Sequence, residues 1–278
     1  MNIFRYAEDV YGQTLLLGAS WNLILWFAGA AIVFSALHIL YKLIRREPAR
    51  SVDLPESEAN QRIIRHKLAA RLYHWVLAAC VITLMVTAFG PHLGWLFNWV
   101  TIHWAVGIIL TLLVVGHIAH SISARNVKTM ALDGHDIRQM SRGEAPHGGK
   151  YEPLQKVYHW GIAALILLLI VTGALILSKM DTPLWRRNPY WLPDGAWSVI
   201  YTIHDFAALG TLASVIVHIY FAVRPDNAWM LRSMIRGWIT RREYLSHHDP
   251  QRWEAEKSAP PARPAPRNPL PTSTSEAR

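Results

Sequence analysis

Five apolar runs constrain this chain of 278 residues more than any other feature of its sequence. Each run is long enough to cross a bilayer as an α-helix. The chain is 52% apolar and only 17% charged, which argues against an ordinary soluble domain. We therefore predict an all-α membrane protein, a four-helix transmembrane bundle plus one additional N-terminal transmembrane helix. The runs cover about residues 21–44, 72–89, 101–122, 157–177 and 202–223.

The basic residues lie next to these runs instead of forming a separate domain. The formal net charge is +9. Most of the Lys and Arg fall in residues 45–71, in residues 124–156 and after Arg224, that is, after the first, third and fifth runs. This pattern favours membrane orientation over nucleic-acid binding. The positive-inside rule then predicts an external N-terminus and a cytoplasmic C-terminus.

The last apolar run carries two histidines, His204 and His218, fourteen residues apart. On an α-helix this separation is about 21 Å of rise, with both side chains on one face. An imidazole in hydrocarbon needs a partner, and ionisable groups inside a membrane mark function by default. Neutral imidazole is also a common axial ligand of haem iron. The pair therefore predicts two haems, one near each membrane surface.

An internal repeat strengthens this interpretation. Residues 101–118 read TIHWAVGIILTLLVVGHI, with His103 and His117 again fourteen residues apart. The runs before the two TIH helices also start alike, with RLYHWVLAA from Arg71 and KVYHWGIAA from Lys156. Two copies of a helix pair indicate duplication within a helix bundle.

The predicted topology sorts the histidines by depth. His103 and His204 start their runs on the outer side and form an unambiguous outer pair. Four more histidines lie towards the inner side and offer more candidates than two axial positions need. Sequence geometry alone does not choose among them, and they are His74, His117, His159 and His218.

The remaining residues limit the alternatives. Cys80 is the only cysteine, so any haem is held without a CxxCH attachment, as b-type. His38 has no repeat partner and is expected to be an interface histidine. A histidine-lined metal-ion transporter is a second class of function, but it conflicts with the pairing at equal depth. Intramembrane carboxylates are also scarce, Asp205 being the main exception. A haem-free anchor for a peripheral enzyme is a third class.

Six stretches of the chain carry a family resemblance: RLYHW, TIHWAVG, GKYEPLQKVYHW, TIHDFAALG, VIVHIY and the tail SMIRGWITRREYLSHHDPQRW. They resemble motifs of the gamma subunits of membrane-bound formate dehydrogenases, and the resemblance covers about residues 65–254. These subunits belong to a larger group of bacterial di-haem b-type cytochromes that includes the nickel–iron hydrogenase cytochromes.

The resemblance implies axial ligands and partners. His74 and His218 would hold the inner haem, and His103 and His204 the outer one. An iron–sulfur subunit and a catalytic oxidoreductase subunit would supply electrons, and the complex could form an oligomer. The chain itself would have no substrate-oxidising site and would lie in the bacterial inner membrane with a periplasmic N-terminus. A hydrogenase or a thiosulfate-reductase-type complex is the alternative partner.

The resemblance also implies a quinone site on the cytoplasmic side, for menaquinone or ubiquinone. It would lie beside the inner haem and the start of the fourth run, at Tyr151, Glu152 and Gln155. Glu152 replaces the asparagine usual in the family and could deliver protons to a reduced quinone. His159, where the family often has an aromatic residue, is a quinone neighbour, a relic of duplication, or a third-haem ligand with His117.

We expect three regions in the chain. Residues 1–50 form an N-terminal segment with the extra helix. Residues 51–245 form the di-haem cytochrome b bundle, and residues 246–278 a cytoplasmic, largely disordered tail rich in Pro, Ala, Ser and Arg. Residues 179–201 are expected to be a structured external loop with aromatic residues at the membrane surface.

Overall fold

The computed structural model describes residues 2–45, 52–123, 127–142 and 148–254. Its helices are α1 (Leu23–Arg45), α2 (Glu56–Ala59), α3 (Leu68–Phe89), α4 (Trp99–Ser123), α5 (Val127–Met130), α6 (Gly134–Arg142), α7 (Pro153–Leu177), α8 (Asp194–Val223), α9 (Ala228–Arg236) and α10 (Arg241–His247). Its strands are β1 (Phe4–Glu8), β2 (Thr14–Ala19), β3 (Arg62–Ile64) and β4 (Trp238–Thr240).

Five of these helices are long and apolar enough to cross a membrane: α1, α3, α4, α7 and α8. They match the five predicted runs, although α1 begins two residues after the start of the first run, and the predicted helical membrane fold is confirmed. The fifth of these, α8, starts at Asp194 instead of residue 202, which shortens the predicted external loop. The first turns of α8 contain polar residues, so hydropathy alone does not include them in the apolar run. These turns are stabilised by Trp197, which is buried and whose indole donates a hydrogen bond to the Pro189 carbonyl at 3.0 Å.

The two repeated helix pairs form the bundle. Helix α3 packs along α4 and α7 along α8, with a shorter contact between α4 and α7. One apolar cluster, centred on Cys80, Leu110 and Ile166, joins the pairs. Leu110 is the only buried residue of α4, a helix that is described throughout. The protein's own side chains therefore cover little of the surface of these helices.

An N-terminal hairpin and α1 cover one side of α8. Strands β1 and β2 pair antiparallel, and the Ala19 amide donates a hydrogen bond to Asp205 Oδ2 at 2.9 Å. Gly18 has φ 137° and a Cβ there would lie 2.4 Å from Asp205 Oδ2, so only glycine fits. Further along, His38 Nδ1 lies 2.7 Å from the Tyr220 hydroxyl, which makes His38 an interface histidine as predicted.

At the other end of the bundle, β3, β4, α9 and α10 form a small folded unit, the inner cap. Strands β3 and β4 pair antiparallel over an apolar cluster that includes Ile63, Trp229 and Ile239. His248 is 1% exposed, and its backbone bridges to Gly148. Residues 246–254, which follow the predicted boundary at residue 245, pack on the cap through His248 and Trp253. Residues 255–278 of the predicted tail lie outside the described residues.

Candidate functional site

The outer pair of histidines lies between the two halves of the bundle. His103 of α4 and His204 of α8 have their ring centres 6.4 Å apart, with the ring planes at 67°. Each Nδ1 lies 2.8 Å from a threonine Oγ1, that of Thr87 for His103 and that of Thr172 for His204. The structure therefore brings together the two residues that the sequence predicted to pair.

The threonines define which ring nitrogen of each outer histidine is free. The Thr87 hydroxyl lies 2.9 Å from the Thr83 carbonyl, and the Thr172 hydroxyl lies 2.6 Å from the Leu168 carbonyl. A hydroxyl has one hydrogen to donate, and here each threonine donates it to the helix carbonyl. The oxygen then accepts from the histidine Nδ1–H, which leaves Nε2 unprotonated and able to bind a metal ion.

The four inner histidines form two pairs. The ring centres of His74 and His218 are 6.3 Å apart, at 55° between the ring planes. Those of His117 and His159 are also 6.3 Å apart, at 68°. The structure thus shows how the four histidines pair, and it brings together the two inner residues named by the family resemblance.

These separations fit a single metal ion between two imidazoles. An imidazole nitrogen lies about 1.1 Å from its ring centre and binds a metal ion at about 2.0–2.1 Å, so two rings in line across one ion have centres roughly 6.2–6.4 Å apart. Haem iron takes two such axial ligands. Gly107 lies one turn after His103, and a Cβ at Gly107 would have no tertiary neighbour within 4 Å, which leaves space beside the outer pair.

The predicted quinone residues lie where α7 meets the inner cap. Gln155 Oε1 accepts from the Glu152 backbone N–H at 3.3 Å, and its Nε2 lies 3.0 Å from Met230 Sδ. Tyr151 has its ring centre 6.5 Å from that of His66. These three residues therefore lie close to one another, and Glu152 and Gln155 also cap the N-terminus of α7. His159 lies one turn further along α7 and is paired with His117.

Buried basic residues dominate the electrostatics of this inner surface. Arg65 is 4% exposed and donates to the Lys150 carbonyl at 3.2 Å. Burial lowers its pKa to about 10, although Tyr151 and Glu152 oppose this. Burial raises the pKa of Glu152, against the pull of Arg65. Burial and the Arg65 charge lower the pKa of His66 to about 3, so His66 is neutral at physiological pH.

Several residues of these sites were missed from the sequence. They are Thr87 and Thr172 beside the outer pair, Tyr73 and Tyr158 beside the inner pairs, and Arg65 under Glu152. The repeat contained a signal for the first four, because each occupies the same position in its half. Arg65 had no such signal, since its role depends on the fold of the inner cap.

Paired imidazoles at two depths of a five-span helical bundle define a membrane cytochrome of the b type. Comparison with known families agrees: the profile of the prokaryotic cytochrome b561 family matches residues 65–237. The chain belongs to this family.

Curated relatives narrow the similarity further. The chain is 26% identical over 217 residues to the formate dehydrogenase cytochrome b556 subunit of Haemophilus influenzae, covering 73% of this chain and 86% of the relative. It is 27% identical over 211 residues to the formate dehydrogenase cytochrome b556(fdo) subunit of Escherichia coli K12, covering 70% and 92%. The protein is therefore a multi-pass bacterial membrane cytochrome with a role in electron transfer.

Proposed function

We propose that the protein carries two haem b groups, passes electrons across the membrane from a formate dehydrogenase-like complex, and reduces quinone. The observation that carries this proposal is the presence of two histidine pairs at two depths along α8, His103–His204 and His74–His218. His204 and His218 are fourteen residues apart, about 21 Å along the helix. Two redox centres at these depths divide the membrane crossing into shorter steps.

Bound haem supplies one-electron transfer, and the protein supplies ligands, orientation and a low-dielectric surrounding. Nε2 of His103 and of His204 would bind iron, while Thr87 and Thr172 fix the tautomer. At the inner pair, Tyr158 stacks on His218 with ring centres 5.3 Å apart and the planes at 15°. This stacking holds the His218 ring in one orientation.

The partners follow from the relatives. Both relatives are named as formate dehydrogenase subunits, so a catalytic subunit and an iron–sulfur subunit are the proposed source of electrons. A nickel–iron hydrogenase or thiosulfate-reductase-type complex is the alternative source. We place the donor on the outer side, where the N-terminal hairpin packs against α8 close to His204 through Asp205.

Quinone reduction is assigned to the inner surface. A quinone head group needs hydrogen-bond partners and a source of protons, and Tyr151, Glu152 and Gln155 offer both. The raised pKa of Glu152 keeps its carboxyl protonated to a higher pH than that of an exposed glutamate. The protonated carboxyl can deliver a proton to a reduced quinone, whether menaquinone or ubiquinone.

The proposed orientation has the N-terminus in the periplasm and the C-terminus in the cytoplasm. Basic residues gather at the ends of α1 and α6, before α3 and around the inner cap, whereas the hairpin and the loop before α8 carry few. Reporter fusions to residues 1 and 278 should report opposite compartments. The same compartment for both would contradict five crossings.

The test of the proposed function is the haem content of the purified protein and of four variants. His103→Ala and His204→Ala should each lose the same component of a redox titration. His74→Ala and His218→Ala should each lose another component. His120→Ala, an exposed histidine in the last turn of α4, is the control and should lose none.

A reduced-minus-oxidised spectrum without haem absorption would overturn the proposal, and would favour a histidine-lined transporter or a haem-free anchor. Loss of one component in both His74→Ala and His204→Ala would overturn the assigned pairs. Both measurements use the complete chain in detergent and do not depend on the partner subunits.

A further inference from the structure

We propose that His117 and His159 bind a third haem b, on the inner side of the bundle, opposite the His74–His218 site. The inference rests on the proposed function, because it assumes that the chain binds haem at its paired histidines. This site is separate from the two haem sites proposed along α8, since neither His117 nor His159 lies on α8.

The geometry of this pair matches that of the other two. The ring centres of His117 and His159 are 6.3 Å apart, as in the His74–His218 pair, and the outer pair has 6.4 Å. The angle between the ring planes is 68°, against 67° for the outer pair. Roughly 6.2–6.4 Å between ring centres is the separation for one iron between two imidazoles.

The internal repeat relates the two inner pairs to each other. His74 and His159 occupy the same position of RLYHW and KVYHW, and His117 and His218 each follow a TIH histidine by fourteen residues. His74 of α3 pairs with His218 of α8, and His159 of α7 pairs with His117 of α4. Exchanging the two halves therefore converts one inner pair into the other.

The surroundings repeat as well. Tyr73 stacks on His117 with ring centres 5.2 Å apart and the planes at 17°, and its hydroxyl donates to the Leu113 carbonyl at 3.3 Å. Tyr158 stacks on His218 at 5.3 Å and 15°, and its hydroxyl donates to the Ser214 carbonyl at 3.3 Å. A stacked tyrosine thus fixes the orientation of one histidine ring in each inner pair.

A histidine pair that serves only helix packing would use its ring nitrogens in hydrogen bonds, as His38 does with Tyr220. Within the described residues, neither His117 nor His159 forms a hydrogen bond through its ring. Both lie on spanning helices, where an imidazole nitrogen without a partner is costly. Axial ligation of iron would satisfy one nitrogen of each ring.

The test is haem per chain in the complete protein, together with redox titration. Wild type should contain about three haems. His117→Leu and His159→Leu should each contain one haem fewer, and the same titration component should be absent from both. His120→Leu, one turn from His117 and exposed, is the matched control and should keep the wild-type content.

The outcomes separate this inference from the proposed function. Two haems in wild type and two in both variants would overturn the third site and leave the two-haem function intact. Three haems in both variants would also overturn it. No haem in any form would end both proposals. Retention of the component assigned to His103 and His204 shows that a variant has folded, so a misfolded protein is not mistaken for a lost ligand.

Discussion

The α3–α4 and α7–α8 halves of the bundle hold their histidines alike but meet different surroundings. Thr87 and Thr172 bond the outer histidines at the same 2.8 Å, and Tyr73 and Tyr158 stack on the inner ones. The N-terminal hairpin and α1, however, pack mainly against α8. Position 205, which anchors that hairpin, is Asp in α8, whereas the equivalent position in α4 is Trp104.

The halves also differ where they start on the inner side. Helix α7 begins after Tyr151 and Glu152, and α3 begins after His66 and Lys67, the equivalent positions of the repeat. The His66 and Tyr151 rings face each other, with centres 6.5 Å apart. Under the proposed function the shared histidines would hold the haems, and we infer that the differing residues decide where donor and acceptor bind.

The largest expected effect tests the sharing of one iron between the halves. His103→Ala in the first half and His204→Ala in the second should each abolish electron flow from donor to quinone, because either change would remove one of the two proposed ligands of the same iron. The measurement is quinone reduction by membranes that contain the partner subunits. Normal flow in either variant would show that the outer pair is not on the electron path.

The next effect tests the difference between Glu152, which precedes α7, and Lys67, which precedes α3. Glu152→Gln should slow quinone reduction about 100-fold, because it removes a proton donor, while both haems of the proposed pairs are still reduced. Lys67→Gln, at the equivalent position of the first half, is the matched control and should have little effect.

The same variant carries a pH signature. Burial raises the pKa of Glu152, so in wild type the protonated form is depleted, and quinone reduction falls, as pH rises through that raised pKa. Glu152→Gln should lose this dependence. If its pH profile and its sensitivity to quinone-analogue inhibitors match wild type, the quinone site lies elsewhere.

A smaller effect tests the packing of the N-terminal hairpin on α8, in the second half of the bundle. Asp205→Ala removes the acceptor for the Ala19 amide and the charge 3.8 Å from Arg5. It should weaken docking of the hairpin by about 1–3 kcal/mol. Limited proteolysis should then cut residues 2–20 faster than in wild type. Asp181→Ala, which changes an exposed aspartate on the same side, should be cut at the wild-type rate.

The smallest effect tests the equivalence of the two threonines. Thr87→Val and Thr172→Val each remove the acceptor for a histidine Nδ1–H, which makes that histidine a weaker donor to iron. The same outer potential should rise in both, by roughly 20–50 mV. Thr83→Val, whose hydroxyl bonds only its own helix carbonyl at 2.9 Å, should leave that potential unchanged. Shifts in two different components would contradict a shared outer site.

The sequence by itself determined the helical membrane fold and the outer histidine pair. Both depend on local quantities: the length of an apolar run against the thickness of a bilayer, and the rise and turn of a helix between His204 and His218. The repeat made His103 the partner of His204 because each starts its run on the same side.

Only the tertiary structure decided how the four inner histidines divide into pairs. His74, His117, His159 and His218 have similar depth, and depth is all that helix periodicity supplies. Their partners depend on which helices are neighbours across the bundle. The inner cap, with Arg65 buried beneath Glu152, and the hairpin held by Asp205 were likewise decided there. Their contacts join residues up to 186 positions apart, and such contacts leave no periodic signal in a sequence.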